Sequence, residues 1–386
     1  MTTKRKIMIV AGEASGDAHA ARLIKAIRDA EPETVFQFFG SAGPQMRDAG
    51  VDAVVQSDDL SVVGVAEIAG ALPMFLRASK KLKVAADERK PDVVVLVDFP
   101  DFNLKLAKWL KKHGFTVVFY ISPQLWAWRK YRISTIRKYV DLLLTILPFE
   151  KAWYASHGVG HVEYVGNPLA NEVSAGISKQ EFCDHVGLEP KKPIIALLPG
   201  SRHKEIVRIL PVMLETAAEM TKKDPELQFV IAVARGRNRN DVDKAILDAG
   251  DAPKNLRIVE NETYNAVAHS DAAAVTSGTA TLETGILGTP LVIVYATSAL
   301  NYALLKPLIA VEHYGLINLI AGKKVAKELI QNDFSPATLS AELFRLLDPA
   351  VNAEVCEELR IAREKLGSGG ASQRATEAIL KLLPIV

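Results

Sequence analysis

Apolar residues gather in short β-branched runs along the whole chain, and longer stretches with helical spacing separate them. The runs cover residues 7–10, 35–39, 93–97, 117–121, 142–146 and 162–165, with helical stretches such as 18–29 and 104–112 between them. Near Pro190-Lys191-Lys192-Pro193 the pattern begins again, with runs at 194–198, 229–234, 256–259, 272–275 and 291–295. Runs that are apolar throughout are buried on both faces, and their alternation with helices is the pattern of a parallel sheet covered by helices. The predicted fold class is α/β, with two doubly wound domains in tandem and a boundary within residues 168–192. Such sheets bind ligands beyond the carboxyl ends of their strands, which places the expected site in a cleft between the domains. From residue 325 the pattern reads as helix to the end, including an acidic–basic amphipathic run over 352–365. The expected division is 1–170, 171–350 and a helical segment over 351–386.

Composition adds exclusions. A net charge of +2 over 386 residues supplies no global field for nucleic acid, so any basic patch has to be local. Cys183 and Cys356 are too few for a disulfide framework and suit a reducing compartment. The polar residues Met1 to Lys6 run straight into the first apolar run, leaving no room for a signal-peptide core. The stretch 291–305 is interrupted by Thr297, Ser298 and Asn301 and falls short of the ~20 residues a bilayer span needs. It reads as a strand and then a helix, in a protein that is soluble or peripheral.

Candidate chemistry sits in the loops after the apolar runs. Gly12-Glu13-Ala14-Ser15-Gly16-Asp17 opens a helix, where small residues admit a ligand and the helix N-terminus favours an anion. It matches neither G-x-G-x-x-G nor a Walker loop, and a plain capping turn is the alternative. Asp98-Phe99-Pro100-Asp101-Phe102-Asn103 follows a wholly apolar run. Desolvation at that point raises the pKa of Asp98 toward that of a useful general base, while Asp101 or Asn103 is placed to cap the next helix. In Ser122-Pro123-Gln124-Leu125-Trp126-Ala127-Trp128-Arg129 the tryptophans suit stacking on a sugar or acyl chain, or else plug the gap beneath the loop.

Two loops of the second half point to phosphate. Gly200, Ser201 and Arg202 put a glycine, a hydroxyl and a guanidinium at a helix N-terminus. Ser277-Gly278-Thr279-Ala280-Thr281-Leu282-Glu283 repeats that logic, its small residues freeing N–H groups for a diphosphate and Glu283 placed to accept from ribose hydroxyls. Either loop alone also reads as an ordinary capped crossover. Together, in one domain, they point to a nucleotide diphosphate.

Other features carry less. Asp241-Val242-Asp243 has the D-x-D form of metal-dependent sugar transferases but sits on a polar helix start, where capping is the better reading. Gly158 and Gly160 separate His157 from His161 and argue against one metal-binding helical face. No metal and no cofactor are expected. Residues 60–83 join apolar Val62, Val63, Val65, Ile68, Leu72, Phe75 and Leu76 to basic Arg77, Lys80, Lys81 and Lys83. That combination suits a membrane interface as well as a core helix, and Pro73 predicts a kink or break.

The five motifs Gly12–Asp17, Asp98–Asn103, Ser122–Arg129, Leu198–Arg202 and Ser277–Glu283, in this order and spacing, resemble the lipid-A-disaccharide synthases over residues 6–334. The resemblance implies a GT-B fold, with two Rossmann-like domains facing across a cleft. It implies inverting transfer from UDP-2,3-diacylglucosamine to 2,3-diacylglucosamine 1-phosphate, giving a β-1,6 disaccharide and UDP. Carried over, Asp98 is the base; Arg202 and the Ser277–Thr281 loop hold the UDP; Glu283 holds ribose. Glu13, Ser15, Gly16 and Asp17, with Trp126, fall on the sugar side. Asn318 falls where the family has Leu-Pro-Asn-Leu, with Ile317 in place of the proline. The family further implies work at the inner face of the inner membrane of a Gram-negative bacterium, and dimerisation through C-terminal segments. The rival readings are a UDP-sugar epimerase of the same fold and a non-catalytic nucleotide or lipid carrier.

Overall fold

The structure is a computed structural model that describes residues 3–61, 68–233, 239–250, 252–298, 302 and 312–383. The chain divides into two compact units, Met1–Pro168 with Gly369–Val386, and Leu169–Ser368. The first holds a parallel sheet of β1 (Lys4–Val10), β2 (Val35–Ala42), β3 (Asp52–Gln56), β4 (Val93–Val97), β5 (Val117–Tyr120), β6 (Leu142–Thr145) and β7 (Val162–Tyr164). Its order is β3-β2-β1-β4-β5-β6-β7. The second holds β8 (Ile194–Leu198), β9 (Gln228–Val233), β10 (Leu256–Glu260), β11 (Ala272–Thr276), β12 (Leu291–Tyr295) and β13 (Lys327–Ile330), in the order β10-β9-β8-β11-β12-β13. Both are doubly wound Rossmann-like sheets, each reversing direction beside its first strand.

Side-chain alternation explains why the apolar runs are unbroken. From β1, Met8 and Val10 enter one core and Ile7 and Ile9 the opposite one; β4 divides Val94 and Leu96 from Val93, Val95 and Val97 in the same way. With helices on both faces, every residue of β4 and β8 is buried.

Three sequence expectations change. The chain is not helical throughout after residue 325, because β13 closes the second sheet as an edge strand; β3 is the corresponding edge strand that the apolar pattern missed. The helix Ile68–Arg89 continues through Pro73 without a break. The segment expected as one C-terminal piece is shared between the units. The helix Pro349–Glu364 stays with the second, its Asn352 side chain donating to the Asp271 carbonyl at 2.8 Å. The helix Ala371–Leu380 instead packs Ala375, Ala378 and Ile379 into the core of the first, and Arg374 donates to the Val165 carbonyl at 2.8 Å.

Candidate active site

In the first sheet the strand order reverses between β1 and β4, so the loops after these strands lie at its ligand-binding end. Asp98 ends β4 with a left-handed backbone (φ +47), and Phe99 repeats it (φ +49). Two consecutive non-glycine residues in that region are uncommon and need outside support. Here the Asp98 amide donates to the Tyr120 carbonyl at 2.9 Å, and the buried Asn103 amide reaches the Val97 and Asp98 carbonyls at 3.2 and 2.7 Å. The Phe99 ring lies over Gly12, where a Cβ would come within 2.2 Å of it. Any larger residue at position 12 would push the ring, and with it the Asp98 turn, out of place.

Burial, and after it the charge of Glu13, pushes the Asp98 carboxyl up to about 6 against a hydrogen bond from the Phe99 N–H. Glu13 and Ser15 are exposed at the start of the helix Ala14–Ala30, and no side chain caps that start. Asp98, Glu13 and Ser15 thus share one end of the sheet.

Other expected members are committed elsewhere. Gly16 is buried, and so is Asp17, whose carboxylate accepts from the amides of Gly43, Gln45 and Met46 at 2.8, 2.9 and 3.2 Å. Asp17 therefore caps the helix Pro44–Asp48 and is spent on the fold. Neither Asp101 nor Asn103 supplies a side-chain cap to the helix Pro100–Lys112. Asp101 pairs with Arg129 at 2.8 Å and with Arg132; partial burial opposes it, yet the hydrogen bonds and charge of these arginines hold its carboxyl below the usual range. Trp126 is buried, donates its indole N–H to Glu150 at 3.0 Å and meets Phe149 edge-on, so it plugs the loop and offers no sugar platform. Trp128 is the exposed tryptophan, with the Arg129 guanidinium 4.2 Å over its ring.

In the second sheet the reversal lies between β8 and β11. A cavity of about 730 Å³ opens there, lined by Gly200, Arg202, Tyr264, Ser277, Thr279 and Glu283 among others. The Gly200 turn (φ +103) leaves no room for a side chain, since a Cβ would lie 2.5 Å from the Glu205 carboxylate. That carboxylate accepts from the Ser201 and Arg202 amides at 3.0 and 3.2 Å. The Ser201 and Arg202 amides are therefore already engaged within the loop. The Arg202 side chain remains: it is 78% exposed, and one N–H meets Glu205 at 2.7 Å.

The other loop is the open one. The helix Thr279–Leu287 begins after Gly278 with no side-chain cap, and Thr279 is exposed beside the cavity. The Thr281 amide donates to the Gly278 carbonyl at 3.1 Å, and the Thr279 and Ala280 amides ahead of it suit an anion. The Ser277 hydroxyl donates to the Tyr314 carbonyl at 2.9 Å. Thr281 is fully buried, donating to the Gly278 carbonyl and accepting from the Leu316 amide, so it shapes the loop from within. Glu283 accepts from the Tyr264 hydroxyl at 2.8 Å; burial pushes its carboxyl up against that bond. The polar segment Asn261-Glu262-Thr263-Tyr264-Asn265 after β10 lines the same cavity and went unnoticed in the sequence. Its position directly after a strand was the available signal.

Asn318 is fully buried and bonded on every side. Its amide donates to the Ala326 carbonyl and Glu328, and its oxygen accepts from the Val325 and Ala326 amides. It ties the helix Leu316–Ala321 to β13 and is not available to a ligand. Asp241 meets His203 at 2.9 Å and Asp243 meets Arg239 at 2.7 Å, which commits both acids of the D-x-D sequence to local ion pairs.

The relationships of the chain can now be stated. The family described as lipid-A-disaccharide synthetase matches residues 7–380. The lipid-A-disaccharide synthase of Syntrophus aciditrophicus is 44% identical over 98% of this chain and 97% of its own length. That of Myxococcus xanthus is 42% identical over 100% and 99%. The chain belongs to the lipid-A-disaccharide synthase family. Its members are UDP-sugar glycosyltransferases that form the lipid A disaccharide, and the two Rossmann-like sheets are the GT-B architecture the resemblance implied. Solved structures agree on the fold alone. A UDP-N-acetylglucosamine 2-epimerase from Neisseria meningitidis is 16% identical, with TM-score 0.63, over 97% of this chain and 100% of that one. The glycotransferase of kitacinnamycin is 15% identical, with TM-score 0.64, over 98% and 99%.

Proposed function

We propose that this chain transfers 2,3-diacylglucosamine from its UDP conjugate to the 6-hydroxyl of 2,3-diacylglucosamine 1-phosphate with inversion, giving the β-1,6 disaccharide 1-phosphate and UDP. Asp98 carries the reading: a half-buried carboxylate with a raised pKa, beyond the end of β4 and with no ion-pair partner among the described residues. It takes the acceptor hydroxyl proton as the oxygen attacks the anomeric carbon, and the bond to UDP breaks in the same displacement. Arg202 and the open helix start at Thr279 stabilise the charge that gathers on the leaving diphosphate, and Glu283 receives ribose hydroxyls. UDP release with both substrates, and none without the acceptor, is the expected result. Conversion of UDP-N-acetylglucosamine with no acceptor present would instead establish an epimerase.

Acylated substrates draw the enzyme to a membrane surface. Among the described residues no helix is long and apolar enough to cross a membrane. Leu72 and Leu76 are 54% and 63% exposed on the helix Ile68–Arg89, with exposed Arg77, Lys80 and Lys81 following them. Of the other apolar residues expected at this surface, Val62, Val63 and Val65, with the Ile68 side chain, lie outside the described residues, and Phe75 packs on Phe99 and Phe102 instead. Exposed leucines beside cations fit an interface with anionic lipid at the inner face of the inner membrane. Replacing Leu72 and Leu76 by serine should lower the vesicle partition coefficient, read by co-sedimentation with anionic vesicles, by roughly 100-fold, given ~1.5 kcal/mol or more for each of the two leucines buried in lipid, and should leave UDP affinity intact. Undiminished sedimentation would move the contact elsewhere. Dimerisation through the C-terminal region completes the proposal, and light scattering on the purified protein reads it directly.

A further inference from the structure

Glu150 stands outside every role assigned so far. It begins the helix Glu150–Ser156 and is 1% exposed. One carboxylate oxygen accepts from the Trp126 indole N–H at 3.0 Å; the other accepts from the amides of Ile146 at 3.3 Å and Leu147 at 3.1 Å. The buried Ser122 hydroxyl lies beside this carboxylate, with no hydrogen bond formed to it among the described residues. All of these groups can donate, so the arrangement suits the ionised form, whereas a protonated carboxyl would bring its own hydrogen against one of them. One turn on, the Tyr154 hydroxyl donates to the Pro123 carbonyl at 2.6 Å. The loop after β5 is thus fastened to Ile146–Tyr154 through an indole and a backbone carbonyl, with a hydroxyl between them.

That loop needs fastening. It leaves β5 through Ile121 at φ +65, a left-handed conformation for a β-branched residue, and reaches Arg129 at φ +56. Such backbone persists only where its surroundings over-determine it. Downstream, the loop presents Trp128 and Arg129, and Arg129 pairs with Asp101 in the first turn of the helix that follows Asp98. The Asp98 amide itself bonds to the last residue of β5.

We infer that Glu150 is a positioning residue for the transfer reaction. Its ionised carboxylate, held between the Trp126 indole and the Ile146 and Leu147 amides, fixes the loop after β5 in the shape that the Asp98 end of the sheet requires. The inference rests on the proposed role of Asp98.

The titration of Glu150 supplies a signature. Burial pushes its carboxyl up to about 7, against the hydrogen bonds it receives. The titratable groups facing it are Tyr154 on its own helix and Tyr164 on β7. Burial raises both, Tyr164 to about 12, so both stay neutral through the working range. Turnover then needs two ionised carboxylates, Asp98 and Glu150, and log kcat should break twice on the acid side, its slope approaching two below about pH 6.

In Glu150→Gln the amide turns two N–H groups toward donors. The kcat should fall by about 10- to 100-fold with the KM for the UDP-sugar unchanged, and only the break belonging to Asp98 should remain. Glu150→Asp should recover part of the rate and restore both breaks. Trp126→Phe removes only the indole N–H and should lower kcat in the same direction by a smaller factor; it decides the matter if Glu150→Gln does not fold. Wild-type kcat in Glu150→Gln overturns the inference, and so does a reduced kcat with both breaks retained, which marks a purely structural role. If Glu150→Gln does not fold, wild-type kcat in Trp126→Phe overturns it as well. Failure of the Asp98 role is read separately, from unimpaired turnover in Asp98→Asn.

Discussion

UDP should bind Arg202→Ala about 10- to 150-fold more weakly than it binds the wild-type chain. The estimate is the ~1.5–3 kcal/mol of a hydrogen bond to a charged group, converted at ~1.4 kcal/mol per tenfold. The fold should not suffer. Glu205 keeps the Ser201 and Arg202 amides as partners when the guanidinium is gone, and the lost ion pair is solvent-exposed on the arginine side. Only one N–H of the guanidinium is engaged by Glu205, so the others are free to meet a diphosphate. Because Glu205 already holds the Ser201 and Arg202 amides, the guanidinium is the main contribution of this loop to phosphate binding. Calorimetry is the direct measurement. Unchanged affinity in Arg202→Ala would leave the helix start at Thr279 as the phosphate site and would remove Arg202 from it.

The contrast between Arg202 and its neighbours shows what a sequence motif can and cannot reveal. Apolar runs located eleven of the thirteen strands, because a strand buried on both faces cannot hide its composition. The two that escaped, β3 and β13, are edge strands whose half-exposed faces carry ordinary polar residues. The loops after β1, β4, β8 and β11 were legible for a related reason. Chemistry in a doubly wound sheet gathers at the carboxyl ends of its strands, and each of these loops follows directly on an apolar run.

Which member of a loop faces a ligand was not legible. Asp17 and Asp98 both sit just beyond an apolar strand, yet Asp17 spends its carboxylate on three amides contributed by residues 43–46, some 26 to 29 positions away. Asn318 is spent in the same way on β13, a strand the apolar pattern did not show. Trp126 and Trp128 are two residues apart, and only the packing of Glu150 and Phe149 decides which is buried. In each case the deciding partners lie outside the motif, from 7 positions away for Asn318 to 29 for Asp17, so the spacing within the motif holds no trace of them. Burial of a polar side chain with a full set of partners marks a structural residue. Burial with an incomplete set marks a candidate for chemistry.

Asp98 meets that second description, and its replacement should have the largest effect of any single change. Asp98→Asn retains size and polarity but cannot accept a proton, and kcat should fall by roughly 10²–10⁴-fold, the range of lost general-base catalysis. UDP affinity should change little, because the nucleotide cavity belongs to the other unit. The pH dependence has a definite sign. Burial and Glu13 raise the pKa of Asp98 to about 6, so the carboxylate is ionised and able to act above that value, and its contribution to turnover is lost as pH falls through it. Glu13→Gln removes the second of these causes and should move the break to lower pH while leaving the plateau largely intact. Asp101→Asn provides the contrast. Asp101 is 63% exposed and held by two arginines, so its loss should cost turnover less than about tenfold, in line with the small worth of surface ion pairs. Near-normal turnover in Asp98→Asn, together with loss in Glu13→Gln, would transfer the role of base to Glu13, an exposed carboxylate at the same end of the sheet.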